Sequence, residues 1–239
     1  MSRPASRRRS SPAFRADAVA DEFTHVVIAI DGPAASGKSS VARMLARKLG
    51  YVYVNTGAMY RAVTWHVVSH DVPPKDAVRV DQLLHFTKVE CGVADCASTI
   101  LIDGADPTPH LLSEAVNANV SAVSAIPEVR RLLVTRQRAY ARDHDLVMEG
   151  RDIGSAVFPD TPYKFYIDAS PEVRARRREK QGLQDSISAR DKIDSTRRTS
   201  PLIIAEDAHV IDSSNLTVEG VVGEIFGRLK QKGLTLGEL

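Results

Sequence analysis

The stretch that most constrains this chain is residues 25–39, HVVIAIDGPAASGKS. An apolar run of strand length, residues 26–30, leads into Gly32-x-x-x-x-Gly37-Lys38-Ser39, which is the spacing of a phosphate-binding loop between a strand and a helix. The glycines let the backbone curl so that successive N–H groups converge on one anion. The pattern therefore predicts binding of a nucleoside triphosphate.

The loop and its continuation into the helix supply the residues expected to bind ATP. Lys38 places a positive charge near the β- and γ-phosphates, and the Ser39 hydroxyl is placed to bind Mg²⁺. A carboxylate at the end of a neighbouring strand can orient the same ion, directly or through water, and both Glu149 and Asp152 qualify by position. We expect Ser39 and Glu149 to hold Mg²⁺. The predicted ATP-binding residues are Gly32, Pro33, Ala34, Ala35, Ser36, Gly37, Lys38, Ser39 and Ser40.

Strand and helix signals alternate after the loop. Val41, Leu45 and Leu49 recur at helical spacing before Gly50, and residues 51–54 form a short apolar strand. So brief a connection implies a parallel sheet with right-handed crossovers, in which ligands bind beyond the carboxyl ends of the strands. We predict an α/β fold with five parallel strands, helices on both faces and an inserted β-hairpin. The hairpin strands are expected at residues 87–93 and 99–103, with a turn over residues 94–98.

An arginine-rich segment follows the fourth of these five strands. Seven arginines lie between Arg174 and Arg198 in a stretch with few core-forming residues. Phosphoryl transfer depends on positioning and on neutralising charge, and the planar guanidinium group stays charged and donates in pairs. We therefore expect a lid over the triphosphate, and the alternative is an exposed, solubilising helix.

Composition excludes several classes of protein. Hydrophobic residues make up 43% of the 239, and no apolar run approaches the roughly 20 residues of a membrane span. Residues 1–20 contribute five arginines and one aspartate, or +4, to a net charge of +2, so the rest of the chain totals −2. Neither membrane nor nucleic acid is expected as a partner. Cys91 and Cys96 are expected to be reduced, as in a cytoplasmic protein. We also expect the protein to be a monomer.

Four sequence motifs make the chain similar to a known family. The stretches IAIDGP (28–33), NTGAMYR (55–61), EGRDIG (149–154) and RDKIDS (190–195) occur in this order. With them the chain resembles the bacterial type of cytidylate kinase, a nucleoside monophosphate kinase, over about residues 24–230. The resemblance implies the P-loop nucleoside monophosphate kinase fold, a CMP-binding insertion, and the reaction of Mg-ATP with CMP or dCMP.

The resemblance also implies roles for single residues. Thr56, Arg61 and Arg151 would hold the CMP phosphate. Ser121, Arg130 and Asp152 would bind the cytosine edge, Arg190 and Asp194 the sugar, and Arg197 would lie between acceptor and lid. The expected catalytic residues are Lys38, Arg151 and Arg197. An ionised aspartate only accepts hydrogen bonds, so Asp152 would favour the amino group of cytosine over the carbonyl of uracil.

The implied domain organisation has three parts. Residues 1–22 would be a disordered basic arm, for which an organelle transit peptide or weak contact with a polyanion are the alternatives. Residues 23–232 would be the kinase domain, with the acceptor insertion at about 75–120 and the lid at about 178–200. Residues 233–239 would be flexible. We expect Lys38 to face an acceptor site built from Arg61, Arg130, Arg151 and Asp152 on neighbouring strand ends.

The residues alone leave two other functions to be considered. Another small-acceptor kinase, such as a UMP/CMP kinase or a shikimate-like enzyme, would share the phosphate-binding loop. A GTP-dependent switch is disfavoured because the guanine-binding pattern Asn-Lys-x-Asp does not occur in the sequence.

Overall fold

The computed structural model describes residues 25–180, 187–197 and 200–235, without the side chains of residues 187–190 and 192. The expected arm at 1–22 and residues 236–239 of the expected C-terminal tail lie outside the described residues. The strands are β1 (Val27–Asp31), β2 (Val52–Asn55), β3 (Val89–Ala94), β4 (Ala97–Ile102), β5 (Leu146–Gly150), β6 (Tyr163–Asp168) and β7 (His209–Asp212). The α-helices are α1 (Lys38–Leu49), α2 (Thr56–Ser69), α3 (Ala77–His85), α4 (Glu114–Ser124), α5 (Pro127–Asp143), α6 (Pro171–Glu179), α7 (Ile187–Thr196) and α8 (Val218–Gln231).

One sheet organises the described part of the chain, with the strand order β3-β4-β2-β5-β1-β6-β7. The five central and C-terminal strands, β2-β5-β1-β6-β7, are parallel, which confirms the predicted α/β fold. The predicted count of five strands is wrong, because the hairpin β3–β4 belongs to the same sheet. Strand β4 runs parallel to β2 where Ala97 pairs with Tyr53. The hairpin therefore widens the sheet on the side of β2.

The hairpin turn is shorter than predicted. Asp95 and Cys96 have φ angles of 48° and 56°, and the strands pair up to Ala94 and Ala97 on either side. Two residues with positive φ form the hairpin turn whose twist matches that of its strands. Cysteine is not a residue that signals such a turn, and the sequence therefore predicted a loop of five residues.

Hydrophobic cores lie on both faces of the sheet. All five residues of β1 are buried, with Val27 and Ala29 in one core and Ile28 and Ile30 in the other. Helices α2 and α5 cover the first face, and α1 and α8 cover the second. A strand buried on both faces between parallel neighbours is held in a single register, so the loop that follows it has a fixed starting point.

Two helices were not predicted. Helix α4 begins after Ser113, whose hydroxyl accepts from Val116 N at 3.4 Å, and its first turn contains Glu114. This is a helix-start signal that the sequence contains. Helix α7 lies in the polar segment expected to form the lid, where no apolar stripe marks it. In the described part of the chain, no helix has the length and apolar character needed to cross a membrane.

Candidate active site

A cleft of about 450 Å³ opens where β1, β2 and β5 end. Its walls come from the phosphate-binding loop, the start of α2, helix α4, the turn after β5, and helix α7. The predicted site residues that line it are Ala34, Ala35, Gly37, Lys38, Ser39, Ser40, Thr56, Arg61, Ser121, Glu149, Arg151, Asp152, Asp194 and Arg197. Most of the predicted donor and acceptor residues thus lie around a single cavity, whereas Gly32, Pro33, Ser36 and Arg130 do not line it.

The loop depends on glycine at its first position. Gly32 has a φ of 153°, and a Cβ there would lie 2.1 Å from the carbonyl oxygen of Ile167. The neighbouring strand β6 therefore leaves no room for a side chain. Gly37 (φ 93°) precedes α1, so the first N–H groups of this helix point into the curl of the loop, where they can bind an anion.

Two side chains of the loop project where the phosphates of a nucleotide are expected. Lys38 is buried, and its Nζ donates to the Pro33 carbonyl at 3.0 Å. Ser39 Oγ donates to Glu149 Oε1 at 2.8 Å.

Ser39 and Glu149 fit a magnesium ion. Both offer hard oxygen ligands, they are adjacent, and Glu149 is only 3% exposed. Magnesium usually takes one or two protein oxygens and completes its shell with water and phosphate oxygens. Among the described residues there is no group of three histidine, cysteine, aspartate or glutamate side chains that could hold a metal ion.

A buried ion pair reaches the wall of the cleft through Asp152. Arg130, 3% exposed, donates from Nη2 to Oδ2 of Asp152, which is 4% exposed. A nitrogen of Arg197 lies 3.5 Å from the other oxygen of Asp152. The Arg130 guanidinium also lies over the ring of Tyr60, 5.5 Å from its centroid. Burial raises the pKa of Tyr60 to about 12, so its hydroxyl stays neutral at physiological pH.

The two arginines predicted to hold the CMP phosphate, Arg61 and Arg151, line the cleft. Arg61 Nη1 donates to the Leu111 carbonyl and to Asn117 Oδ1, both at 2.8 Å. Arg151 donates from Nε to Asp194 at 3.0 Å and from Nη1 to the Gly32 carbonyl at 2.9 Å. These contacts fix both guanidinium groups on the walls of the cleft.

The predicted placement of the acceptor residues on strand ends is only half correct. Arg151 and Asp152 do follow β5, but Arg61 lies on α2 and Arg130 on α5. Arg130 is among the most buried charged residues. The side chain of Arg190, which was predicted to contact the sugar, lies outside the described residues.

The segment predicted to form the lid, at about residues 178–200, contacts the phosphate-binding loop through a carboxylate. Asp191, on α7, accepts from the Ala34 N–H at 3.2 Å and pairs with Arg174, which also donates to the Ala34 carbonyl at 3.4 Å. Arg177 donates to the Ser36 carbonyl at 3.1 Å. Arg174 and Arg177, on α6 just before the predicted lid, therefore hold the backbone of the phosphate-binding loop.

Sequence reasoning missed three residues of this region. Asn117 contacts Arg61, but no local pattern marks it. Tyr60 lies inside the NTGAMYR stretch and was given no role. Asp31 stands directly before the first glycine of the loop, and a carboxylate at the end of an apolar strand was a signal that could have been used.

Asp31 is a buried carboxylate with two backbone partners. Oδ1 accepts from Ile153 N–H and Oδ2 from Gly154 N–H, both at 2.8 Å. Burial raises the pKa of Asp31 to about 7, although the two N–H bonds and the charge of Lys38 oppose that rise.

The raised pKa predicts a pH dependence of stability. Between the ordinary value of 3.8 and about 7, folded Asp31 holds a proton that the unfolded chain has released. Its contribution to the free energy of unfolding is therefore largest below pH 4 and declines as the pH rises towards 7. We expect the stability of wild type relative to Asp31→Asn to fall across this window in urea unfolding. A difference that is constant with pH would contradict the raised pKa.

Comparison with known proteins agrees with this geometry. The family model described as cytidylate kinase matches residues 28–231. A cytidylate kinase from Limosilactobacillus reuteri (strain DSM 20016) is 43% identical over 216 residues, which cover 85% of this chain and 95% of that protein. A cytidylate kinase from Clostridium botulinum (strain Langeland) is 40% identical over 218 residues, covering 87% of this chain and 99% of that protein.

Among solved structures, a shikimate kinase from Acinetobacter baumannii in complex with shikimate aligns over 89% of this chain and 97% of that chain. Its TM-score of 0.44 and 14% identity are too low to bear on function. The family match spans nearly the whole described chain, and the relatives match along almost their full length. The chain therefore belongs to the cytidylate kinase family.

Proposed function

We propose that this chain transfers the γ-phosphoryl group of Mg-ATP to CMP or dCMP, giving ADP and CDP or dCDP. The observation that supports it best is the buried pair of Asp152 and Arg130, whose carboxylate lines the same cleft as the phosphate-binding loop. A loop for a triphosphate and a buried acceptor–donor pair at one cleft suit a reaction with two nucleotides.

The chain's own residues would act mainly by position and charge. A phosphate oxygen of the acceptor attacks the γ-phosphorus in line, and the bond from that phosphorus to the oxygen of ADP breaks. Lys38, Arg151 and Arg197 would neutralise the charge on the transferring group. Magnesium, held by Ser39 and Glu149, would supply further neutralisation of the β- and γ-oxygens.

Selection of cytosine would rest on Asp152 and Arg130. Their pairing fixes the carboxylate as an acceptor, which suits the amino group of cytosine, while guanidinium N–H groups suit the ring acceptors. Ser121 lines the same part of the cleft. A site of buried polar groups rejects an analogue that leaves them unpaired more strongly than an apolar pocket does.

The remaining roles are assigned by position in the cleft. Thr56 and Arg61 would bind the acceptor phosphate, and Asp194 with Arg190 would bind the sugar. We propose that the hairpin and α4 form the acceptor region and that α7 belongs to the lid. The monomeric state and the cytoplasmic location stay predictions.

An acceptor screen tests the proposal. ADP release should be measured by a coupled assay with CMP, dCMP, UMP, AMP and shikimate at equal concentrations. We expect CMP or dCMP to give the highest kcat/KM. A higher kcat/KM for UMP than for CMP would favour a UMP/CMP kinase, and activity with shikimate alone would overturn the assignment to a nucleotide acceptor.

A further inference from the structure

Asp31 joins the two halves of the site without lining the cleft. It is the last residue of β1, it directly precedes the loop, and it is 5% exposed. In the register of the sheet it pairs with Gly150, the last residue of β5. Its side chain therefore lies beside the point where the chain leaves β5 for Arg151 and Asp152.

The carboxylate closes the turn that follows these two residues. Ile153 and Gly154 present consecutive N–H groups at the start of a single π-helical turn, Ile153–Val157, and each donates to a different oxygen of Asp31. The first N–H groups of a helical turn have no partner within it. Consecutive N–H groups of this kind form a concave site for an anion, and Asp31, which is ionised above about pH 7, supplies that anion from within the chain.

Two more contacts hold the turn, one against the loop and one against β6. Arg151 Nη1 donates to the carbonyl of Gly32, the residue after Asp31, at 2.9 Å. Gly154 packs on Lys164, since a Cβ at this glycine would lie 3.1 Å from the lysine's Cγ and Cδ. Two adjacent residues of the loop strand thus accept three hydrogen bonds from Arg151, Ile153 and Gly154.

We propose that Asp31 is a positioning residue for the acceptor: its carboxylate holds the turn after β5 so that Arg151 and Asp152 stay aligned with the phosphate-binding loop. This inference rests on the proposed function, in which these two residues bind CMP. Asp31 acts through them and has no contact with the acceptor itself.

A carboxylate has two acceptor oxygens, so the Asp31 side chain can accept a hydrogen bond from each of the two N–H groups. Asparagine has one acceptor oxygen, and its NH₂ group would face the second N–H donor. In Asp31→Asn one N–H of the turn loses its partner in a buried place, while the size of the side chain is kept. Asp145→Asn is the matched control, because Asp145 accepts from Val26 N–H at 2.7 Å near the opposite end of β1.

Steady-state kinetics with each substrate varied tests the inference. For Asp31→Asn we expect the KM for CMP to rise about tenfold while the KM for ATP changes by less than about twofold. Asp145→Asn should leave both KM values near those of wild type. Equal rises in both KM values, or an unchanged KM for CMP, would overturn the positioning role, since a general loss of structure does not single out one substrate.

Hydrogen exchange gives a readout that does not depend on activity or on the variant. In wild type the amides of Ile153 and Gly154 should exchange as slowly as those of β1, and fast exchange there would contradict the inference. In Asp31→Asn these two amides should exchange faster while those of β1 stay protected. If wild type phosphorylates none of the acceptors, the proposed function fails, and the exchange data still decide whether Asp31 holds the turn.

Discussion

Replacing Lys38 by alanine is expected to lower kcat by about a hundred- to a thousandfold. Lys38 is the first residue of α1 and lies at the mouth of the loop, where its Nζ reaches the Pro33 carbonyl at 3.0 Å. A triphosphate bound by the loop would bring its β- and γ-oxygens to the same ammonium group. The interaction strengthens as charge moves in the transition state, so the loss should appear in kcat.

The control for this variant lies on the same helix. Lys48→Ala removes an exposed lysine from the last turn of α1, and it should leave kcat unchanged. Alanine is a good helix former, so neither variant should unfold the protein, and thermal melting checks this. A near-normal kcat for Lys38→Ala would mean that the loop binds phosphate without taking part in transfer.

The features predicted correctly are those set by local pattern. The loop is recognisable because glycine is required at Gly32 and Gly37 for steric reasons, and the two-sided burial of β1 shows as an unbroken apolar run. The start of α6 is similar. Ser170 accepts from Val173 N at 3.4 Å, and Pro171 is the first helical residue, as the sequence predicted.

What the sequence did not reveal depends on contacts between distant segments. Arg130 is buried only because α5 places it beside Asp152, which is 22 residues away. A helical stripe marks apolar residues, so it assigns a buried arginine to the exposed face. Asn117 meets Arg61 across 56 residues, and Tyr53 meets Ala97 across the sheet. Pairings of this kind have no local signature.

The arginine-rich segment is a second example of contacts that the sequence did not reveal. Its arginine density predicted a role near the phosphates, yet Arg174 and Arg177 donate to carbonyl groups of the loop. Composition indicated that this segment lies close to the loop. It could not indicate which donors bind the backbone, because that choice depends on the distance between α6 and the loop.

The variant Asp152→Asn is expected to lower kcat/KM for CMP by about a thousandfold. Asp152 is buried between Arg130 and Arg197, so loss of its charge removes the acceptor for cytosine and leaves two buried cations less well compensated. The KM for ATP should change little, because the side-chain contacts of Asp152 are to Arg130 and Arg197 and not to the phosphate-binding loop. The amide of asparagine can donate as well as accept, so the preference for CMP over UMP should also shrink.

Loss of stability must be separated from loss of recognition. Removing one partner of a buried ion pair costs about 3–5 kcal/mol, whereas replacing both by apolar residues is often neutral. The double variant Arg130→Met with Asp152→Asn should therefore recover part of the stability lost in Asp152→Asn. Urea unfolding measures the recovery. The control is Asp207→Asn, which weakens an ion pair with Lys164 outside the cleft and so shows the effect on stability of a pair without a role in binding.

Recovery of stability without recovery of CMP turnover would place the function of the Asp152–Arg130 pair in the acceptor site. If the double variant regains both, the large effect of Asp152→Asn came from the unpaired arginine, and cytosine is selected elsewhere in the cleft. An equal loss of CMP and ATP binding in Asp152→Asn would likewise show that Asp152 does not select cytosine. The pair of Asp152 and Arg130 is the feature that distinguishes this cleft from a general phosphate-transfer site, so its separation into stability and recognition tests the proposed substrate most directly.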